Sequence, residues 1–434
     1  KIVMVSNSVR VIGAGHSWSP LVETTGSLID MKHFDTVSIG TNTVVVGAGT
    51  SLQTLSDRLQ DVEKMFIGFG AIKKQTVGGA SATSLHGDHH TGFSTHIRSL
   101  KAVLANGSLI ETTDMQIWRD SMGMLGVIYE FNITVYPLQY VNVKTNMQTF
   151  SYVQELMKND RLFDATILSG TTSLSKSKFR TRVVSEAQTK RIDTILQQPR
   201  IIYYVWDNIV LPFVVLTIGM FGDIDLSSVI HKDEYFESVP ITEAWNHPSE
   251  YGFVASEYAI PVENCSAAFE EIYDISPGTV SYEVRLLKGA PHCTSWVQEK
   301  SCALAVSPLN LHNWKDLSHN DFFLRIEEIS YKYGGSVHIG KYIAGSFEKQ
   351  RHSLPCFDLF NRTRAQLDPT NKFINNFGRK YLFTNETVDD LYVDKTVRHI
   401  VFSLVAYIVI LVVLLYVPVN ICVGKSCNGC CCGN

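Results

Sequence analysis

Three groups of residues in this chain have types and spacings that can do chemistry. The first is Val11-Ile12-Gly13-Ala14-Gly15-His16-Ser17. Paired glycines after a β-type run let the backbone turn sharply and come close to a ligand. The N–H groups of such a turn can cradle a phosphate. His16 follows at once, and its ring nitrogen can serve as a covalent tether or simply as part of the turn. The second group is Glu283-Val284-Arg285. Residues two apart on a strand share a face, so this carboxylate and guanidinium are neighbours. Alone they make a plain ion pair; beside a reacting centre the guanidinium stabilises developing negative charge. The third is His338 with Lys341, in a stretch punctuated by Gly334, Gly335 and Gly340. The ammonium can hold a hydroxyl, and an imidazole with an ordinary pKa near 6.5 can take its proton. A surface turn is the plain alternative.

Two familiar readings fail. A dinucleotide turn of the Gly-x-Gly-x-x-Gly type needs a third glycine where its helix packs on its strand. That position is Trp18, and Pro20 follows. A second near match, Gly47-Ala48-Gly49-Thr50-Ser51-Leu52, puts leucine there. His86, His89, His90 and His96 suggest a metal, but their loop lacks carboxylates at helical spacing, and no metal site is assigned.

The elements that must position these groups begin with strands over residues 9–13, 27–31, 36–39 and 44–47, rich in Val and Ile. Residues 51–59 predict a helix with Leu52, Leu55 and Leu59 on one face and Ser51 as its cap. Residues 76–85 are small and glycine-rich, suited to close backbone approach. Residues 97–104 and 108–112 flank Asn106-Gly107, a strong hairpin signal. A helix near 115–121 and strands within 127–136 complete one α+β domain over residues 1–139. Residues 140–350 form a second region of strands and helices. Its apolar run 209–221 is interrupted by Pro212 and too short to span a bilayer; it reads as core, with membrane-surface contact as the alternative.

The chain has 434 residues and a net charge of −4, so no basic field argues for a nucleic-acid partner. It opens on Lys1, and a strand-like run follows almost at once, which predicts that residues preceding it are missing. After a linker over 384–399, residues 400–423 carry no charge and are long enough to cross a bilayer. Residues 424–434 form a Cys-rich tail. Cys422, Cys427, Cys430, Cys431 and Cys432 beside that span suggest S-palmitoylation. Cys265, Cys293, Cys302 and Cys356 can form two disulfides in any of three pairings. Glycosylation sequons at Asn106, Asn132, Asn264, Asn361 and Asn385 favour a lumenal or extracellular body, at the endoplasmic reticulum or cell surface. Lys395 and Arg398 before the span, against Lys425 after it, pull the orientation the other way.

The motifs converge on one resemblance. Over most of residues 1–383, and in the same order, the chain resembles the flavin-dependent aldonolactone oxidoreductases of the vanillyl-alcohol-oxidase fold. Val11 to Ser17 is similar to that family's flavin-tethering turn, Thr76-Val77-Gly78-Gly79-Ala80-Ser81-Ala82-Thr83 to its second FAD-cradling segment, and Ser84-Leu85-His86-Gly87 to its Gly-Thr-His-Gly stretch. Leu85 departs from that pattern, at a place where small changes gate oxygen access. Met124-Leu125-Gly126-Val127-Ile128 resembles a strand start against the flavin. Glu257-Tyr258-Ala259-Ile260-Pro261 and Glu283-Val284-Arg285 resemble strands of the substrate domain. Val337-His338-Ile339-Gly340-Lys341 resembles the family's His-Trp-(Gly/Ala)-Lys motif, with Ile339 in place of tryptophan. Leu367-Asp368-Pro369-Thr370-Asn371-Lys372-Phe373 resembles the segment, here 351–383, that returns to the FAD domain.

The resemblance implies an α+β architecture: an N-terminally incomplete FAD-binding domain, a substrate domain and a C-terminal transmembrane helix. It implies FAD held by Gly13, Ala14, Gly15, His16, Ser17, Gly78, Gly79, Ala80, Ser81, Thr83, His86, Gly87, Gly126 and Ile128, with a covalent bond from His16 to the flavin 8α carbon. Catalysis falls to Glu283, Arg285, His338 and Lys341. The implied reaction passes hydride from a sugar-lactone or polyol hydroxyl to flavin N5, with O2 as acceptor, H2O2 as product and an ascorbate-type lactone as substrate. A dehydrogenase using another acceptor and a non-catalytic, membrane-anchored binding protein are the alternatives.

Overall fold

Alternating burial sets most of the strands. The computed structural model describes residues 2–70, 72–87, 91–162, 164–168, 173–184, 235–240, 255–276, 280–290, 292–308, 319–345 and 347–383. β1 (Val9–Ile12) pairs in parallel with β2 (Ser27–Asp30). β3 (Val37–Ile39), β4 (Thr43–Gly47), β6 (Ile97–Val103), β7 (Leu109–Thr112) and β8 (Val127–Thr134) form an antiparallel sheet in the order β3-β4-β8-β6-β7. β5 (Lys64–Met65) pairs with β9 (Tyr136–Pro137). On β4, Val44 and Val46 are buried and Thr43 and Val45 are less so, the period of two expected of a strand.

The predicted helix is Leu52–Gln60: Ser51 accepts the Thr54 N–H at 3.0 Å, and Leu52, Leu55 and Leu59 are buried. Asn106-Gly107 turns the hairpin with Gly107 at φ +83°. Two expectations need correction. Residues 76–85, read only as a glycine-rich stretch, include the short helix Val77–Ala82, capped by Thr76. Its glycines hide it from propensity. The helix expected near 115–121 is only Met115–Trp118, because Arg119 turns extended and Asp120 lies at φ +50°.

The second sheet has eight antiparallel strands. They are β10 (Tyr140–Thr149), β11 (Asp164–Leu168), β12 (Lys178–Val184), β13 (Tyr235–Pro240), β14 (Ser256–Pro261), β15 (Val280–Leu287), β16 (Ser301–Pro308) and β17 (Ser336–Val337). Their order is β13-β10-β12-β11-β15-β16-β14-β17. Tyr258, Ile260, Tyr282, Val284, Leu286, Leu304 and Val306 belong to the main core. This side packs against the helices Phe150–Lys158, Val262–Asp274 and His319–Lys332, where Phe269 meets Tyr282 edge-on with centroids 5.3 Å apart. The alternate residues, among them Glu257, Glu283, Arg285, Ala303 and Ala305, form the other face. Disulfides join Cys265 to Cys302 and Cys293 to Cys356, one of the three pairings open from sequence.

By contact density the chain divides into Lys1–Tyr392 and Val393–Asn434, and the second unit lies outside the described residues. So do the run 209–221, the span 400–423, His89 and His90. Among the described residues no helix is long and apolar enough to cross a membrane.

Candidate active site

Register carries charge to one patch of the large sheet. Asp164 and Thr166 on β11 lie opposite Arg285 and Glu283 on β15. Across β15, Glu283 faces Ala305 and Arg285 faces Ala303 on β16. Across β16, Ala305 faces Glu257 on β14. The two alanines leave room above the sheet between Glu283–Arg285 and Glu257. Arg285 is clamped by Glu283 through Nε–Oε1 at 3.0 Å and Nη2–Oε2 at 2.5 Å, and its Nη1 lies 3.7 Å from Glu257 Oε1. Burial opposes the charge on Arg285, but Glu283 and Glu257 outweigh it and raise its pKa.

Glu257 is the hub. Its Oε2 lies 3.3 Å from His86 Nε2 and 3.8 Å from Lys341 Nζ. Burial favours the neutral acid, but His86, Lys341 and Arg285 prevail and hold the carboxyl well below the usual range. Its backbone carbonyl accepts the His338 N–H at 2.9 Å. Trp296 lies against both imidazoles, with centroids 4.6 Å from His338 and 5.2 Å from His86.

The Gly340 N–H donates to His338 Nδ1 at 2.9 Å. In the neutral ring the proton therefore sits on Nε2. Burial pushes the His338 pKa down to about 3, partly offset by Glu257. These features suit His338 to donating a hydrogen bond from Nε2 rather than to taking a proton, one of the two roles open to it from sequence. His86, Glu257 and His338 could together offer a metal three ligand atoms within 4.8 Å. Arg285 and Lys341 already oppose the same carboxylate, and His338 Nδ1 is occupied, so the set suits hydrogen bonding better than a dication.

The His16 turn lies beside this cluster. The Trp18 N–H donates to Gly340 O at 2.9 Å, and Ser19 Oγ donates to Lys341 O at 2.7 Å and also meets Ile339 O. Gly340 also backs onto Thr83: a Cβ at Gly340 would lie 3.3 Å from Thr83 Cβ. The loop carrying His338 and Lys341 thus sits between the His16 turn and the end of the Val77–Ala82 helix.

Comparisons with known proteins match two parts of the chain. Residues 5–113 match the family described as FAD binding domain, and residues 226–381 match D-arabinono-1,4-lactone oxidase. The chain belongs to the FAD-linked aldonolactone oxidoreductases. L-gulono-1,4-lactone dehydrogenase of Mycobacterium tuberculosis is 26% identical over 405 residues, covering 86% of this chain and 90% of that protein. L-gulonolactone oxidase of Mus musculus is 24% identical over 409 residues, covering 87% and 90%. As a member of this family the chain is an FAD-dependent oxidoreductase.

The residues present in this aldonolactone oxidoreductase fit FAD. A Cβ at Gly13 would fall 2.0 Å from Thr76 Oγ1, so only glycine allows the turn to press onto the second segment. Gly15 takes φ +69°. Ala14 and Gly15 are exposed, and Gly13, His16 and Ser17 are half-buried, so this turn is accessible. A Cβ at Gly78 would lie 3.0 Å from Ala48 O. Ala80 and Ser81 are buried, and Ser81 and Thr83 donate back to Gly78 O at 2.9 Å and Gly79 O at 3.0 Å. Gly126 precedes β8, Ile128 is its second residue, and Gly87 is buried next to His86.

Leu85 is buried in the core, where a Cβ at Gly70 would meet its Cδ1 at 2.4 Å. Ile339, standing where the family has tryptophan, is also core, and Trp296 supplies the indole against His338. His96 is engaged by Tyr136 Oη at 3.1 Å and Thr91 Oγ1 at 3.3 Å. The central role of Glu257 was missed. Its signal was a lone acid in the otherwise uncharged run Ser256-Glu257-Tyr258-Ala259-Ile260-Pro261, since such a charge is rarely buried without partners. The buried pair His292 Nε2–Asp120 Oδ2, at 2.6 Å, joins residues too far apart in sequence for spacing to reveal.

Proposed function

We propose that this chain oxidises a secondary alcohol of a sugar lactone or polyol, with an ascorbate-type lactone as substrate and O2 as acceptor. The observation that carries this reading is the contact of the His16 turn with the His338–Lys341 loop, which sets the charged patch beside the FAD cradle. Three cations, Arg182, Arg285 and Lys341, meet three carboxylates, Asp164, Glu257 and Glu283. That balance suits a neutral molecule rich in hydroxyls. Lys341 holds the hydroxyl to be oxidised, the His338 Nε2–H donates to a substrate oxygen, and Arg285, clamped by Glu283, opposes developing negative charge. FAD, when bound in the cradle, would supply the hydride-accepting chemistry; the net reaction is alcohol plus O2 to ketone plus H2O2, with the hydroxyl proton and the C–H hydrogen both ending in the peroxide. His16 is the covalent tether.

Denaturing gel fluorescence of full-length protein tests the tether. A fluorescent band that His16→Ala abolishes is expected, and covalent flavin retained in that variant overturns the assignment. Adding L-gulono-1,4-lactone is expected to bleach the flavin and yield peroxide in proportion to O2 consumed. Bleaching without peroxide favours the other reading, a dehydrogenase, the name the Mycobacterium tuberculosis relative carries. A full-length protein without flavin absorbance favours a binding role.

We also propose that residues 400–423 cross a membrane, with the cysteine tail palmitoylated and the body in the lumen or outside the cell. The uncharged span, the two disulfides and the exposure of sequon Asn106 support this. In sealed microsomes the body is then protected from protease, and digestion without detergent overturns the orientation.

A further inference from the structure

We propose that Ser19 is a positioning residue that registers the cofactor-tethering turn against the backbone carrying Lys341. The carbonyls of Ile339, Gly340 and Lys341 all accept hydrogen bonds from Trp18 N–H or Ser19 Oγ, two and three residues beyond His16. Ser19 is 2% exposed, and its one hydroxyl proton is shared by two carbonyls, so water does not replace it readily.

The rest of the loop is tied to the other half of the molecule. Gln350 brackets Val337, accepting its N–H at 3.0 Å and donating to its carbonyl at 2.6 Å. Glu327 accepts the Ala344 N–H at 2.6 Å and the Gly345 N–H at 2.7 Å. A Cβ at Gly345 would fall 2.3 Å from Glu327 Oε2. Between these ends β14 and the residue before it hold the His338 N–H through Glu257 O at 2.9 Å and the Tyr342 N–H through Ala255 O at 3.0 Å, and the three carbonyls between them, Ile339 to Lys341, are located by Trp18 and Ser19. Trp18 belongs to the departure that rules out a dinucleotide turn, and here it forms half of this seam.

Lysine is a charge on a flexible four-carbon stem, so its aim depends on its backbone. A displacement of about 1 Å can cost about a hundredfold in rate. This role rests on the reading of Lys341 as the group that holds the substrate hydroxyl. The seam itself is a matter of backbone contacts.

The test uses full-length, FAD-loaded protein with Ser19→Ala, and Ser19→Cys, which keeps the volume and weakens the donor. Hydrogen exchange is read in peptides covering 14–21 and 337–345. Ser19→Ala is expected to speed exchange in both by about tenfold or more, with flavin content and dithionite reduction unchanged. The limiting rate of flavin reduction by L-gulono-1,4-lactone is expected to fall at least about tenfold. Ser19→Thr is expected to restore both, and Ser19→Cys to fall between. Wild-type exchange in either variant that retains flavin overturns the seam. If the wild type is reduced by no lactone or polyol, the functional reading fails while the exchange comparison still decides the seam.

Discussion

Glu257 and Arg285 stand on strands separated by β16, yet Glu257 Oε1 and Arg285 Nη1 lie 3.7 Å apart because β16 places only alanines between them. The same carboxylate meets His86 and Lys341 on its other oxygen. A single buried acid thus sets the spacing of three nitrogen groups.

Glu257→Gln therefore removes a counter-charge shared by the largely buried Arg285 and the half-buried Lys341. Losing one partner of a buried ion pair costs about 3–5 kcal/mol. Thermal unfolding is expected to show a clear drop in stability, and steady-state kinetics a fall in kcat/KM of about a hundredfold. A variant with wild-type kcat/KM would show that Glu257 has no part in the site.

Arg285→Lys keeps the charge but cannot reproduce the two-point clamp on Glu283. Its kcat is expected to fall by about ten- to a hundredfold, with FAD retained. Stopped-flow flavin reduction reads this directly, and an unchanged limiting rate would place Arg285 outside the reaction.

The Cys293–Cys356 disulfide closes a loop with a sequence separation of 63 residues and joins the segment carrying Trp296 to the start of the helix Phe357–Leu367. Loops of this order contribute about 2–4 kcal/mol. Cys293→Ser/Cys356→Ser is expected to lower the unfolding temperature of the holoprotein by several degrees, measured by calorimetry. An unaltered temperature would show that the bond contributes nothing.

Stability should also depend on pH in opposite senses at two buried groups. Burial pushes His338 down to about 3, so its contribution is full above the ordinary histidine pKa of about 6.5 and is lost as pH falls from there toward 3. Burial pushes Glu327 up to about 8, against the pull of the Ala344 and Gly345 N–H groups. Its contribution is full below the ordinary carboxyl range and is lost as pH rises toward 8. Melting curves of His338→Asn should decline less than wild type on acidification below about pH 6.5. Glu327→Gln should flatten the alkaline limb. Parallel curves for variant and wild type would contradict each assignment.

Much of this was legible from residue types. The Ser51 cap, the leucine stripe behind it and the Asn106-Gly107 hairpin are local, and local signals survive into the fold. The alternation that sets Glu283 and Arg285 on one face is likewise a property of a single strand. Glu257, Trp296 and Ser19 were not legible because their roles depend on register between strands and on contacts hundreds of residues apart. The tautomer of His338 was hidden too, since it is set by one backbone N–H two residues away.

Arg10 is buried, and burial lowers its pKa to about 10. The hydrogen bonds described for its guanidinium go to backbone carbonyls: Leu21, Met122, Gly123 and Phe373. Nearby, Asn375 Nδ2 donates to the carbonyls of Pro20 and Glu23, and Lys372 O accepts the Val9 N–H. The segment next to β1 is thus completed by residues synthesised some 360 positions later. On a ribosome, the segment around Arg10 can collapse early but must wait for Phe373 to emerge before this cation is satisfied. The turn that follows β1 is consequently finished only when the segment around Phe373 arrives, and FAD is expected to be captured after that point rather than before it.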